Sequence, residues 1–335
     1  MDRLAQLERW LAGRYPATRL ALSPASADAS FRRYFRVAVP GEPPRTFVAM
    51  DAPPEREDCR PFIHVARLLG DAGLNAPRVL AQDLTQGFLL LTDLGTTTYL
   101  EALQANRDLA DALFAAATDA LVKWQLASRR DALPPYDARL LRRELELFPE
   151  WYVGRHLGTE LAPSEREVLD RAFALIVGAN LAQPQVYVHR DYMSRNLMVC
   201  DPNPGILDFQ DAVHGPITYD VASLFKDAFI SWEEERVLDW TIRYWEKARR
   251  AHLPVDPDFS RFWRDCEWMG LQRHLKVAGI FARLAHRDGK HQYLADTPRF
   301  LDYIRPVVRR YAVLAPLAAL LDTLEGRSRE VRLTF

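Results

Sequence analysis

The sequence predicts an α+β fold of two lobes: a small N-terminal lobe with an antiparallel sheet plus helix, and a large, mainly helical C-terminal lobe. Short aromatic and β-branched runs bounded by turn residues fill residues 1–91. Long helical patterns then dominate to the end, interrupted by one strand-rich insert over 186–207. With 48% of its 335 residues hydrophobic, the chain can bury a substantial core, as one large domain or two modest ones.

The elements follow in order. Residues 4–12 read as an amphipathic helix, and a strand lies around Leu20. Two strands, 31–39 and 45–50, flank Pro40-Gly41-Glu42-Pro43-Pro44, a hairpin turn. Over 57–69 the apolar residues Phe62, Ile63, Ala66 and Leu69 share a helical face, and Gly70 and Gly73 end the pattern. Strands 78–81 and 87–91 complete the small lobe, so it spans 1–91. Thr92-Asp93-Leu94-Gly95 opens a hinge over 92–98, and residues 99–335 form the catalytic and substrate-binding lobe. No internal repeat or low-complexity segment interrupts this plan.

Lys and Arg total 44 against 45 Asp and Glu, a balance that offers no global field for nucleic acid or an anionic membrane. Cys59, Cys200 and Cys266 are too few and too scattered for a disulfide framework or a metal-ligand set. The N-terminus alternates charged with apolar residues and has no continuous apolar segment of the secretory type. The apolar stretch 311–321 is too short to span a bilayer and contains Pro316. The expectation is a cytoplasmic protein with no membrane or nucleic-acid partner and no obligate protein partner.

The insert carries the chemistry. It runs Val186-Tyr187-Val188-His189-Arg190-Asp191, then Tyr192-Met193-Ser194-Arg195-Asn196-Leu197-Met198-Val199, and reads as strand, polar loop, strand. A turn at Asp201-Pro202-Asn203-Pro204-Gly205 leads to Ile206-Leu207-Asp208-Phe209-Gln210-Asp211. Phosphoryl transfer from ATP needs one carboxylate to take or orient the proton of the attacking hydroxyl. It also needs an amide and a second carboxylate to hold Mg²⁺ against the phosphates. Asp191, Asn196 and Asp208 are that set, in the order and spacing of kinases. Any one of them alone reads as a turn residue; together, between apolar strands, they read as a kinase site. His189 reads as a structural residue that packs under the loop.

His189-x-Asp191-x4-Asn196, Asp208-Phe209-Gln210-Asp211 and Gly215-Pro216-x-x-Tyr219-Asp220-Val221-Ala222 together resemble the aminoglycoside phosphotransferase and choline kinase superfamily. Protein kinases would show Asp-Phe-Gly and Ala-Pro-Glu, which this sequence lacks, so a protein substrate is disfavoured. Within the superfamily the whole chain is similar to the bacterial anomeric sugar kinases of cell-wall recycling. That resemblance is carried by the segments 28–35, 50–54, 89–95, 141–152 and 272–276. It implies ATP and Mg²⁺ as cofactors and a small-molecule amino sugar, N-acetylmuramate or N-acetylglucosamine, as substrate. It further implies Asp191 as catalytic base, Asn196 and Asp208 as metal ligands, and backbone groups at Thr92, Asp93 and Leu94 as the adenine contact. The counterpart of Asp220 braces the catalytic loop in that superfamily.

One departure concerns the phosphates. The third-strand Lys that usually holds them is replaced by Met50 in Phe47-Val48-Ala49-Met50. The nearest candidates for compensation are Arg32, Arg33 and Arg36, after a small-residue loop ending at Ser30, itself a candidate nucleotide contact; each arginine reads equally as a surface residue. For the sugar, Arg273, Lys276, Arg283 and Arg287 recur on one helical face, which reads either as a solvated stripe or as a carboxylate receptor. Glu150, Trp151 and Tyr192 read either as sugar contacts or, for the aromatics, as core. Two rival functions stay open: a kinase of an aminoglycoside, choline or another alcohol, and a catalytically silent nucleotide-binding protein.

Overall fold

In a computed structural model that describes residues 2–15, 20–26, 31–41 and 45–333, the elements alternate early and turn helical later. Helix α1 (Arg3–Ala12) precedes strands β1 (Ala21–Ser26), β2 (Arg33–Val39) and β3 (Arg45–Asp51), helix α2 (Arg60–Asp71), and strands β4 (Val79–Asp83) and β5 (Phe88–Thr92). Helices α3 (Tyr99–Ala105), α4 (Ala110–Leu126), α5 (Ala138–Leu145) and α6 (Pro163–Leu181) follow, with a π-helix at Phe148–His156. The insert contributes β6 (Gln185–Val188), β7 (Leu197–Met198), β8 (Gly205–Ile206) and β9 (Val213–Pro216). Helices α7 (Tyr219–Phe225), α8 (Glu234–Arg250), α9 (Phe259–Asp288), α10 (Thr297–Arg310) and α11 (Ala315–Leu333) complete the chain.

By packing, residues 1–105 with 196–211 form one unit and residues 106–195 with 212–335 another. The first is organised by a five-stranded antiparallel sheet in the order β1-β2-β3-β5-β4. The anticipated hairpin pairs β2 with β3, Val39 opposite Arg45, while residues 42–44 of its turn lie outside the described residues. Leu7, Trp10 and Leu11 of α1 bury themselves on Val37, Val39, Ala49, Phe88 and Leu90, which is the apolar gain that docks this short helix. Its first residue also reaches the sheet: Arg3 donates to the fully buried carboxylate of Asp51 and, at 2.7 Å, to the carbonyl of Gln86. Helix α2 buries Phe62, Val65, Leu68 and Leu69, so its inner stripe includes Val65 and Leu68 where the sequence pattern suggested Ile63 and Ala66. Both readings are apolar at helical spacing, and only the partner surface chooses between them.

In the second unit α9 is the spine, 30 residues and about 45 Å long. Asp258 caps its start by accepting from Ser260 N at 2.9 Å, and Gly289 ends it at φ 70°, a conformation that favours glycine. Leu271, Leu275, Ala278, Phe281 and Ala282 of α9 bury against Leu145, Phe148, Phe173, Phe300 and Ile304. Gly279 lets the backbone at Leu147, just before the π-helix, approach so closely that a Cβ there would stand 2.4 Å from the Leu147 carbonyl carbon. Strand β6 pairs with β9, which the sequence pattern missed because Val213-His214-Gly215-Pro216 is brief and ends in turn residues. Among the described residues no helix is long and apolar enough to cross a membrane.

Candidate active site

The loop after β6 belongs to the larger unit and is held by its own side chains. Asp220, fully buried in α7, accepts from the backbone N–H of His189 at 2.6 Å and of Arg190 at 3.0 Å. Burial raises the Asp220 carboxyl to about 7, against these two bonds, and the charge of Asp191 adds to the rise. Asp227 performs the same service two turns of chain later, accepting from Ser194 N and Ser194 Oγ, each at 2.7 Å. Between these anchors Arg190 sits at φ 77°, unusual for a residue with a Cβ and typical of backbone constrained at a functional loop. His189 is buried: its Nδ1 accepts from Asp191 N at 3.3 Å and its ring meets Tyr192 edge-on at 5.6 Å. That is the packing role expected of it.

Around Asp191 the charges are mostly positive. Burial alone would raise its carboxyl; Lys276, then Arg190 and Arg273, outweigh that and bring it below the ordinary 3.8. Lys276 is fixed by Glu144 Oε1 at 3.1 Å and by Tyr219 Oη at 3.0 Å, and Glu144 also takes bonds from Arg190 and Tyr136. Glu144 is itself held below the ordinary carboxylate range: burial opposes this, and Lys276 and Arg190 prevail. Sequence reasoning missed Glu144 and Asp227. Glu144 did leave a signal, since it shares the apolar face of α5 with Leu141 and Leu145.

Asn196 and Asp208 sit in the smaller unit, at the two ends of the β7–β8 hairpin. Leu207 N donates to Asn196 O at 2.9 Å, which sets the side chains side by side: Asn196 Nδ2 lies 3.4 Å from Asp208 Oδ2. Gln210 Nε2 orients the other oxygen, Oδ1, at 2.7 Å. Asp208 also adopts a left-handed backbone, φ 59°. One carboxylate and one amide, adjacent and oxygen-bearing, are the donor types a hard divalent cation takes beside phosphate oxygens. Phe209 packs on Phe62 of α2 with ring centroids 4.8 Å apart and planes tilted by 37°, which ties this hairpin to the same unit.

The expected phosphate cations are already matched within that unit. Met50 is buried on β3 opposite Tyr34. Arg32 pairs with Glu57 at 3.0 Å, Arg33 with Asp51 at 2.5 Å, and Arg36 with Asp93 at 2.7 Å. Ser30 lies outside the described residues. Asp93 spends its side chain on Arg36 and on Gly95 N, Thr92 Oγ1 accepts from Arg78 N, and Leu94 lies over Gly205.

The sugar candidates separate by burial. Arg273 and Lys276 are buried within α9, so the solvated-stripe reading fails for them; Arg283 is half-buried, and Arg287 is exposed and bound to Asp288. Tyr192 is a core residue whose hydroxyl donates to Ala117 O at 2.8 Å. Glu150 is exposed on the π-helix, and Trp151 packs half-buried on the main core.

Comparison with known proteins now adds identity to geometry. The profile of the phosphotransferase enzyme family matches residues 21–257. The chain belongs to this family. Among phosphotransferases with curated names, the N-acetylmuramate/N-acetylglucosamine kinase of Pseudomonas putida is 52% identical over 339 aligned residues, covering 98% of this chain and 98% of that protein. The protein of the same name from Neisseria meningitidis is 51% identical over 328 residues, 97% of each chain. In structure, a choline/ethanolamine kinase family protein from Mesorhizobium loti superposes with a TM-score of 0.61 at 13% identity, over 95% of this chain and 99% of that one. An ADP-bound aminoglycoside phosphotransferase superposes with a TM-score of 0.57 at 14% identity, over 89% and 97%. The kinase-like α+β fold expected from the sequence is therefore the fold of this phosphotransferase.

Proposed function

We propose that this phosphotransferase is an ATP- and Mg²⁺-dependent kinase that phosphorylates the anomeric hydroxyl of N-acetylmuramate and N-acetylglucosamine. The observation that carries the reading is the 52% identity, end to end, with a kinase named for these two sugars. Use of ATP and of sugars recovered from cell wall implies a cytoplasmic enzyme acting in peptidoglycan recycling.

In this reading Asn196 and Asp208 hold Mg²⁺, which when bound neutralises charge on the phosphates. Asp191 orients the anomeric hydroxyl and takes its proton. An anomeric hydroxyl is more acidic than an ordinary alcohol, so a weak base suffices late in the transfer. Holding Asp191 ionised is then the main electrostatic task of Lys276, Arg190 and Arg273, and holding the loop still is the task of Asp220 and Asp227. The arginines Arg32 and Arg33, and the backbone of Thr92, Asp93 and Leu94, are the candidates for nucleotide contact.

The deciding experiment incubates purified protein with Mg·ATP and a panel of N-acetylmuramate, N-acetylglucosamine, choline and aminoglycosides, with phosphorus NMR of the products. A sugar 1-phosphate from the two amino sugars, lost in Asp191→Asn, is expected. Turnover of choline or an aminoglycoside with neither sugar consumed would replace the substrate assignment. An Asp191→Asn enzyme above about a tenth of wild-type kcat would remove the base, since a general base contributes ~10²–10⁴-fold.

A further inference from the structure

We propose that Arg273 receives the lactyl carboxylate that N-acetylmuramate carries and N-acetylglucosamine lacks, and so sets the preference between the two sugars. This deepens the reading above and rests on it.

Arg273 is 1% exposed, yet no carboxylate forms an ion pair with it among the described residues. Among the described residues its Nε has no hydrogen-bond partner. Its Nη1 reaches the Lys226 carbonyl only at 3.4 Å, and its Nη2 ends on the sulfur of Met193 at 3.5 Å. The other cations of this cluster are matched, Lys276 and Arg190 both by Glu144. A guanidinium offers five N–H donors in a planar fork, and burying one without a matching anion is costly. Such a buried group calls for an explanation, and a ligand anion supplies one.

Where the anion would enter is also visible. Met193 is part-exposed and stands two residues beyond Asp191 in the same loop. A thioether is a weak acceptor on an adaptable side chain, so a carboxylate that displaced it would exchange one weak bond for two charge-assisted ones. The fork suits a carboxylate better than the single ammonium of Lys276, which Glu144 and Tyr219 already hold. Electrostatics agree: Arg190, Arg273 and Lys276 stand near Glu144, Asp191 and Asp220, and burial raises the Asp220 carboxyl, which weakens its hold on Arg273.

The test is a cycle of two enzymes and three substrates. Wild type and Arg273→Met are assayed with N-acetylmuramate, its carboxamide and N-acetylglucosamine. In Arg273→Met the ratio of kcat/KM for N-acetylmuramate over N-acetylglucosamine should fall roughly 10- to 100-fold, the worth of a charge-assisted pair. In wild type the carboxamide should lose the same factor; in the variant the loss of the Arg273 charge near Asp191 lowers all three substrates alike, and acid and carboxamide should no longer differ. An unchanged ratio overturns the proposal and points to a structural arginine or one that serves the transferred phosphoryl group. If Arg273→Met does not fold, the wild-type comparison of acid with carboxamide decides, and equal turnover of the two overturns the proposal. A wild type that phosphorylates neither sugar overturns the proposed function and this inference together, which separates the two failures.

Discussion

Replacing Lys276 with Met should move the acid limb of the pH–rate profile upward. In the folded protein Asp191 lies below its ordinary value of 3.8: burial pushes up, and Lys276 is foremost among the cations that push down. An opposite charge at close quarters lowers a carboxyl by about 1–3 units, and each unit corresponds to about 1.4 kcal/mol. A depressed carboxyl is ionised at every pH above its folded value, so wild-type kcat/KM should stay flat on this account down to about pH 4. Without Lys276 the limb should move to higher pH, costing about tenfold in kcat/KM per pH unit on its acid side and little at pH 8. Linkage gives the same sign for folding. The stability contributed by ionised Asp191 is present above the unfolded value and is lost as pH falls through the folded one, so acid unfolding should begin at higher pH in the variant. Glu144 would keep Arg190 and Tyr136, and the double variant Glu144→Gln/Lys276→Met removes the ion pair as a unit should the single change unfold. Rates with saturating Mg·ATP between pH 4.5 and 8.5, with melting followed in parallel, make the measurement. A folded variant whose acid limb coincides with wild type would show that Lys276 does not govern the charge of Asp191.

Two further outcomes are expected. Asp208→Ala removes the one carboxylate assigned to Mg²⁺, so calorimetric titration with Mg·ATP should show binding weakened severely, and unchanged affinity would take Asp208 out of the site. Gly279→Ala places a methyl 2.4 Å from the Leu147 backbone and should cost at least about 1–3 kcal/mol in denaturant unfolding, with a midpoint equal to wild type refuting the close approach.

The sequence was most legible where structure is local. The pattern of β-branched and aromatic runs located β2, β3, β4 and β5, and the Pro-Gly turn implied the β2–β3 pairing. The loop from His189 to Asn196 could be read because its polar residues stand in fixed order between apolar strands. What stayed hidden depends on partners distant in the chain. Glu144 sits among Arg142, Arg143 and Glu146 and looks like one more charged helix residue, until Lys276, over a hundred positions later, turns out to face it. The π-helix has no distinct composition, and the close approach of Gly279 in α9 to Leu147 just before it joins residues over a hundred positions apart. The stripe from Arg273 to Arg287 has one helical period along its length but passes from core to solvent, and periodicity alone carries no depth.

The clasp of Arg3 on Asp51 and Gln86 bears on how the chain is made. A ribosome delivers Arg3 first, Asp51 about two-fifths of the way through the sequence's first 120 or so residues, and Gln86 later still. Until Gln86 emerges, α1 has neither its carbonyl acceptor nor the Phe88 and Leu90 surface on which Leu7, Trp10 and Leu11 lie. A ten-residue helix is marginal in water by itself. The N-terminal segment therefore spends the early part of synthesis as an amphipathic peptide without its full anchorage, fastened only after β5 although it precedes every strand of the sheet.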